Sequence, residues 1–212
     1  MISVGLTTEH VQLWLQKTNE KIQENKTYLT ELDQAIGDGD HGINMSRGFE
    51  EAIKKTAESD YESPGDLLKD WAMTLISKVG GASGPLFGTA ILKMSMSVKG
   101  KEEVNYAELT TAFEEALAGI LQRGHAAENQ KTLVDVWSPV VRFLQENAAF
   151  DPAAFSNQAK EAMEQTKDMQ AEKGRAAYLK ERSIGHLDPG SVSSFYLLQS
   201  LSEVIEKEGV TL

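Results

Sequence analysis

Apolar residues recur along this chain with the period of a helix. Val11, Trp14, Leu15, Thr18 and Ile22 fall at i, i+3, i+4, i+7 and i+11, one face of a first helix. Met45, Phe49, Ala52 and Ile53 mark a second. Ser63-Pro64 opens a third, with serine as N-cap and proline at the first helical position. Its inner face carries Leu67, Leu68, Trp71, Leu75 and Ile76, and it stops at Gly80-Gly81. A fourth starts after Gly84 through Phe87, Ile91 and Met94, and a fifth spans about residues 105 to 122 with Leu109, Phe113, Ala116, Leu117 and Ile120. The sixth holds Val134, Trp137, Val140, Val141 and Leu144. A seventh runs from Pro152 towards Met169, and an eighth from about Ser191 to Lys207 buries Phe195, Leu198, Leu201 and Ile205.

No stretch alternates like a strand between hairpin turns, so almost no sheet is expected. Eight helices with short links predict an all-α fold, an eight-helix antiparallel bundle or barrel forming a single domain over residues 1–212. No Gly/Ser linker or internal repeat divides it. The carboxyl end, EKEGVTL, is expected to fray.

Composition narrows the functions open to such a bundle. The 41% hydrophobic and 25% charged fractions are those of a globular protein. With no cysteine, disulfides, thiolate chemistry and cysteine zinc sites are excluded. A net charge of −11 argues against a nucleic-acid partner, though a small polyanion held by metal and local amides remains open. No apolar run is long enough for a membrane span, and the opening MISVGLTTEHVQLW lacks the features of a signal peptide. A cytoplasmic location is the default expectation.

Unusual sequences sit at the helix ends: LDQAIGDGDHGIN, VGGASGPLFGT, QRGHAAENQKTLVDVW, EKGRAAYLKERSIG and HLDPGS. An up-and-down bundle brings alternate loops to one end, so these five can share a rim. Asp33, Asp38 and Asp40, spaced D-x4-D-x-D, form an oxygen-only set suited to a hard cation. An EF-hand beginning at Asp38 fails, since its positions 5, 6 and 12 would be Gly42, Ile43 and Phe49. Partly hydrated Mg²⁺ with phosphate as co-ligand fits better. The plainer reading makes Asp38 and Asp40 turn and N-cap residues, but three aspartates beside His41 and Asn44 favour a metal–phosphate site.

The run GGASGPLFGT, Gly80 to Thr89, lets backbone N–H groups approach an anion at a helix N-terminus, or is a tight interhelical turn. It is no Walker loop, having no lysine. Arg175 could offset charge on a phosphoryl group, though lone arginines are usually solvated. Asp188-Pro189-Gly190 reads by itself as a helix-start turn. His10, His125 and His186 support no separate claim, and Trp14, Trp71 and Trp137 are simplest as core.

Together, GDGDHGINMSRGF, VGGASGPLFGT, KTLVDVWSPV and GRAAYLKERSIGHLDPGS are highly specific. The chain resembles the ADP-binding L subunits of bacterial, phosphotransferase-system-dependent dihydroxyacetone kinases over nearly its whole length. The resemblance implies an eight-helix antiparallel barrel with nucleotide at one end. Asp33, Asp38 and Asp40 would hold two Mg²⁺ ions bridging the phosphates of ADP or ATP. His41, Gly42, Ile43 and Asn44, with Ala82 and Ser83, would contact those phosphates. Gly124 and Leu133 would line the nucleoside pocket, Arg175 with His41 would be catalytic, and Asp188, Pro189 and Gly190 would close the site.

By the same resemblance, the nucleotide stays bound as a cofactor. It passes a phosphoryl group to dihydroxyacetone on a K subunit and is recharged by a phosphohistidine M subunit. The size of the chain, without a fused K domain, fits a subunit. Two other readings remain: a nucleotide-binding sensor that partners a transcription regulator, and an ATP-dependent domain of the fatty-acid kinase type. The latter typically has DGDTG where this chain has DGDHG. Self-association as a homodimer stays open.

Overall fold

The computed structural model describes residues 5–57 and 59–212. Among them the chain forms nine α-helices: α1 Thr8–Glu24, α2 Lys26–Ile36, α3 His41–Ala57, α4 Pro64–Lys78, α5 Ser83–Ser97, α6 Tyr106–Gly124, α7 Val134–Glu146, α8 Pro152–Gln165 and α9 Pro189–Glu208. Two 3₁₀ segments, Thr166–Asp168 and Arg175–Ser183, lie between α8 and α9. Strand structure is limited to one isolated antiparallel bridge, Leu6 with Val104.

Helix starts follow local chemistry. Thr7 and Asn105 each form a capping box, with His10 and Glu108 at the third position. Ser63, Asp151 and Asp188 cap α4, α8 and α9, each followed by proline at the first helical position.

All eight expected helices are present, and they are the staves of a closed ring. From α3 to α9 each helix packs on the next, α9 returns to α1, and α1 packs on α3. The core inside carries all three tryptophans, each buried. Phe49 meets Trp71 edge-on at 5.3 Å, and Phe113 stands 5.7 Å from Trp137 and 5.9 Å from Phe155. Two of the buried indole N–H groups donate inside the core, Trp14 to the Leu197 carbonyl at 2.7 Å and Trp137 to Ser194 Oγ at 3.0 Å.

The additional helix, α2, falls where the sequence reads as loop. Leu29, Leu32, Asp33 and Ile36 share one stripe, at i, i+3, i+4 and i+7, but the carboxylate within it breaks the apolar pattern. This helix packs at one end of the barrel against α3 and α9.

Alternate links carry the site: residues 37–40, 79–82, 125–133 and 166–188. Each leads into an N-terminus, of α3, α5, α7 or α9 respectively. The up-and-down order therefore gathers four positive helix ends on one rim. The opposite end is tied by the Leu6–Val104 bridge and by Phe150 N–H to the Leu212 carbonyl at 3.0 Å.

Candidate active site

A cavity of about 670 Å³ opens at that rim, lined by residues from all four links. Asp33 comes from the last turn of α2 and is 9% exposed. One of its oxygens accepts from the backbone N–H of Asp40 at 2.8 Å and of His41 at 3.0 Å. Asp33 thus caps α3 from outside, fixing how the glycine-rich turn folds back. A Cβ at Gly37 would stand 2.0 Å from an Asp33 carboxylate oxygen, so any larger residue there would displace that carboxylate. Asp33, Asp38 and Asp40 each offer an oxygen within 4.8 Å of the others. Three carboxylates so close repel one another, and an all-oxygen set of this kind fits a hard divalent cation.

Among the described residues Arg175 supplies the counter-charge to the triad, its Nη2 standing 2.9 Å from Asp38 Oδ2. Its side chain is 69% exposed. His41 is buried between α5 and α9. It shares a hydrogen bond with Ser83 Oγ through Nδ1 at 3.0 Å and one with Ser193 Oγ through Nε2 at 2.7 Å. Burial pushes its pKa down to about 4, outweighing the opposing charge of Asp40, so the imidazole is neutral near pH 7. Asp188 caps α9, accepting from Ser191 N–H at 2.7 Å and Ser191 Oγ at 2.9 Å. Burial raises its carboxyl to about 6 against those two donors.

Of the residues singled out by the sequence, Asp33, Asp38, Asp40, His41, Ala82, Ser83, Gly124, Leu133, Arg175, Asp188, Pro189 and Gly190 all line this cavity. Gly42, Ile43 and Asn44 do not. Gly42 is where α3 presses on α2: a Cβ would lie 2.2 Å from the Lys26 carbonyl oxygen and 2.5 Å from Thr30 Oγ1. Ile43 is 48% exposed on the outside. Asn44 packs beneath Gly80 and accepts from Arg47 Nη2 at 2.9 Å, supporting the 79–82 turn rather than entering the cavity. The backbone N–H groups of Gly42 and Ile43, in the first turn of α3, have no acceptor among the described residues.

Sequence reasoning did not find the apolar wall of Ile36, Pro85, Leu86 and Ile120, nor Lys131 and Thr132. The wall residues belong to ordinary core stripes and carry no distinguishing signal. Lys131 could have been noticed as a lone cation at the head of KTLVDVW, just before an amphipathic helix.

Comparison with known proteins identifies the family. Residues 35–203 match the DAK2 domain family. The chain belongs to that family. This DAK2 domain is 48% identical to the PEP-dependent dihydroxyacetone kinase 1, ADP-binding subunit DhaL, of Listeria innocua, covering 89% of the chain and 92% of that protein. It is 46% identical to the PTS-dependent dihydroxyacetone kinase, ADP-binding subunit DhaL, of Lactococcus lactis, covering 97% and 100%. The resemblance drawn from the motifs therefore holds over nearly the whole chain. The fold is also that of the dihydroxyacetone kinase from C. freundii solved with AMP-PNP and Mg²⁺, with a TM-score of 0.70 and 20% identity. The DAK2 domain is covered to 93% in that match but spans 33% of the larger chain. None of its described helices is long and apolar enough to cross a membrane.

Proposed function

We propose that this chain is the nucleotide-carrying subunit of a dihydroxyacetone kinase, holding ADP as a cofactor. The observation that carries the reading is the Asp33–Asp38–Asp40 cluster at the mouth of a cavity ringed by four helix N-termini. Relatives named as ADP-binding subunits of such kinases, at 40 to 48% identity, support it. The three aspartates would hold two Mg²⁺ ions, which when bound supply positive charge to the β- and γ-phosphate oxygens.

The chain's own residues do the rest. First-turn amides of α3 and α5 present N–H donors and positive dipole ends to the phosphates. Neutral His41 locks Ser83 to Ser193, so the N-terminus of α5 is held against α9 without adding a charge that would compete for the anion. Ile36, Leu86, Ile120 and Leu133 offer an apolar slot for a nucleobase. Arg175 leaves Asp38 to stabilise charge on the phosphoryl group in transit. No serine, histidine or aspartate need carry the phosphoryl group, so transfer is in line and without a covalent protein intermediate.

The acceptor would be dihydroxyacetone on a separate K subunit, and a phosphohistidine M subunit would recharge the nucleotide in place. Nucleotide released from the purified protein should be ADP, and a phosphohistidine carrier should convert it to ATP without its leaving. Rapid exchange with free ATP and no response to the carrier would overturn the cofactor reading.

A further inference from the structure

The segment between α8 and α9, residues 166–188, borders the cavity with Arg175 near its middle and Asp188 at its end. It has two short 3₁₀ turns and no α-helix of its own. Its two ends are tied to each other: Gly185 N–H donates to the Lys167 carbonyl at 2.7 Å, and Asp188 N–H to Thr166 Oγ1 at 3.2 Å. What fastens those joined ends to the rest of the barrel is a lysine from the α6–α7 link.

Lys131 is 2% exposed. Its ammonium donates to the carbonyls of Thr166 at 2.6 Å, Met169 at 3.1 Å and His186 at closer range still. An ammonium has three donors, so three carbonyls satisfy it fully, each through a charge-assisted bond. Two acceptors lie where the segment leaves α8 and the third just before α9. One side chain thereby holds both ends. Asp188, Asp168 and Asp135 supply the surrounding negative charge.

The backbone that aims Lys131 is itself constrained. Lys131 has φ 57° and Asn129 has φ 66°, a left-handed conformation that non-glycine residues adopt only when their surroundings enforce it. Asp135 does the enforcing. Its buried carboxylate accepts from Thr132 N–H at 2.7 Å and from Asn129 N–H. Next to this brace, Gln130 meets Glu172 twice: its carbonyl accepts from Glu172 N–H at 3.2 Å, and its side-chain amide donates to the Glu172 carboxylate at 3.1 Å.

We propose that Lys131, braced by Asp135, is a positioning residue that fastens segment 166–188 over the cavity and sets where Arg175 and Asp188 stand. It rests on the nucleotide reading for its consequence, since the lysine acts through the segment and its ammonium is fully used by carbonyls. The K-T-L-V-D motif then acquires a mechanical role: lysine as fastener, aspartate as brace.

The test compares wild type with Lys131→Met, which keeps the stem and removes the donors. In nucleotide-free protein, amide hydrogen exchange across 169–186 should quicken at least tenfold, while α4 and α5 exchange as in wild type. With Mg²⁺, ADP should dissociate at least tenfold faster. With nucleotide saturating, the fall in phosphoryl transfer caused by Lys131→Met should be smaller in the Arg175→Ala background than in wild type, because part of that fall is displacement of the guanidinium. Unchanged exchange in the segment, acceleration spread evenly over all helices, or losses that multiply in the double variant would each overturn the proposal. Asp135→Asn, which loosens the brace but keeps the ammonium, should show the same local pattern more weakly and serves if Lys131→Met does not fold. Should wild type hold no nucleotide at all, the proposed function falls, and the exchange comparison still decides the fastening.

Discussion

Replacing Asp38 by asparagine separates binding chemistry from fold more cleanly than any other change in the triad. In the ligand-free protein Asp38 has one ion pair, to an Arg175 that is 69% exposed, and such pairs contribute about 0–1 kcal/mol. Against that loss stands relief of repulsion. Its carboxylate lies within 4.8 Å of two others, and each such pair costs about 1 kcal/mol in water and about 3 kcal/mol at an effective dielectric of 20. Since Asp38 is itself half exposed, the lower figure applies. Asp38→Asn should therefore leave ligand-free stability unchanged or slightly raised. Asp33→Ala should not, because Asp33 accepts from two backbone amides at the start of α3 and alanine leaves them without that acceptor.

Ligand linkage gives the opposite result. Mg²⁺ and ADP at about 100 times the dissociation constant stabilise a protein by about 2.7 kcal/mol, or on the order of 5–10 °C for a domain of this size. The assay is thermal unfolding with and without Mg²⁺·ADP, using sodium chloride of equal ionic strength as control, since screening alone also quiets the triad. Wild type should gain the shift and Asp38→Asn should lose it. An equal shift in both proteins would refute the metal assignment. A fall of more than about 5 °C without ligand would show that Asp38 is structural after all.

Three further outcomes follow from the site. Arg175→Ala should leave the melting temperature within about 2 °C of wild type while slowing phosphoryl transfer by roughly 10³-fold, read by single-turnover transfer from bound nucleotide. Gly42→Ala should destabilise the fold by about 1–3 kcal/mol in urea unfolding and weaken ADP retention, because its Cβ meets the backbone of α2; Ile43→Ala should change neither. Asp188 has its carboxyl raised from 3.8 to about 6 by burial, with Asp135 adding to the rise and Lys131 and Ser191 opposing it. The folded state therefore keeps a proton that the unfolded chain releases. This contribution, at most about 3 kcal/mol, is present below pH 4 and is lost as pH rises through 6. Asp188→Asn keeps the N-cap and removes the titration, so its stability profile between pH 4 and 7 should be flatter than that of wild type; parallel profiles would refute the assignment.

The barrel was legible because it depends on what repeats. Eight apolar stripes at helical spacing, with Ser63-Pro64 and the glycine stops between them, are each written locally, and a ring of neighbours needs little else. What escaped was structure whose cause lies elsewhere in the chain. The helix α2 is hidden by Asp33, an inward carboxylate that makes sense only once the amides of residues 40 and 41 fold back to it. Gly42 and Asn44 sit in a ligand-like motif, yet Gly42 is set by the close approach of α2 and Asn44 by Gly80 and Arg47, which spacing alone does not reveal. Lys131 is the extreme case, since its three acceptors are 35, 38 and 55 residues away. The same residues explain why the site can be both fixed and changeable. Asp33, His41 and Lys131 are buried and hydrogen-bonded, so they hold the rim, whereas among the described residues the more exposed Asp38 and Arg175 pair with each other. A phosphate and its metal ions would compete for both partners of that exposed pair, so the one contact easily given up on the rim is the contact that ligand binding has to break.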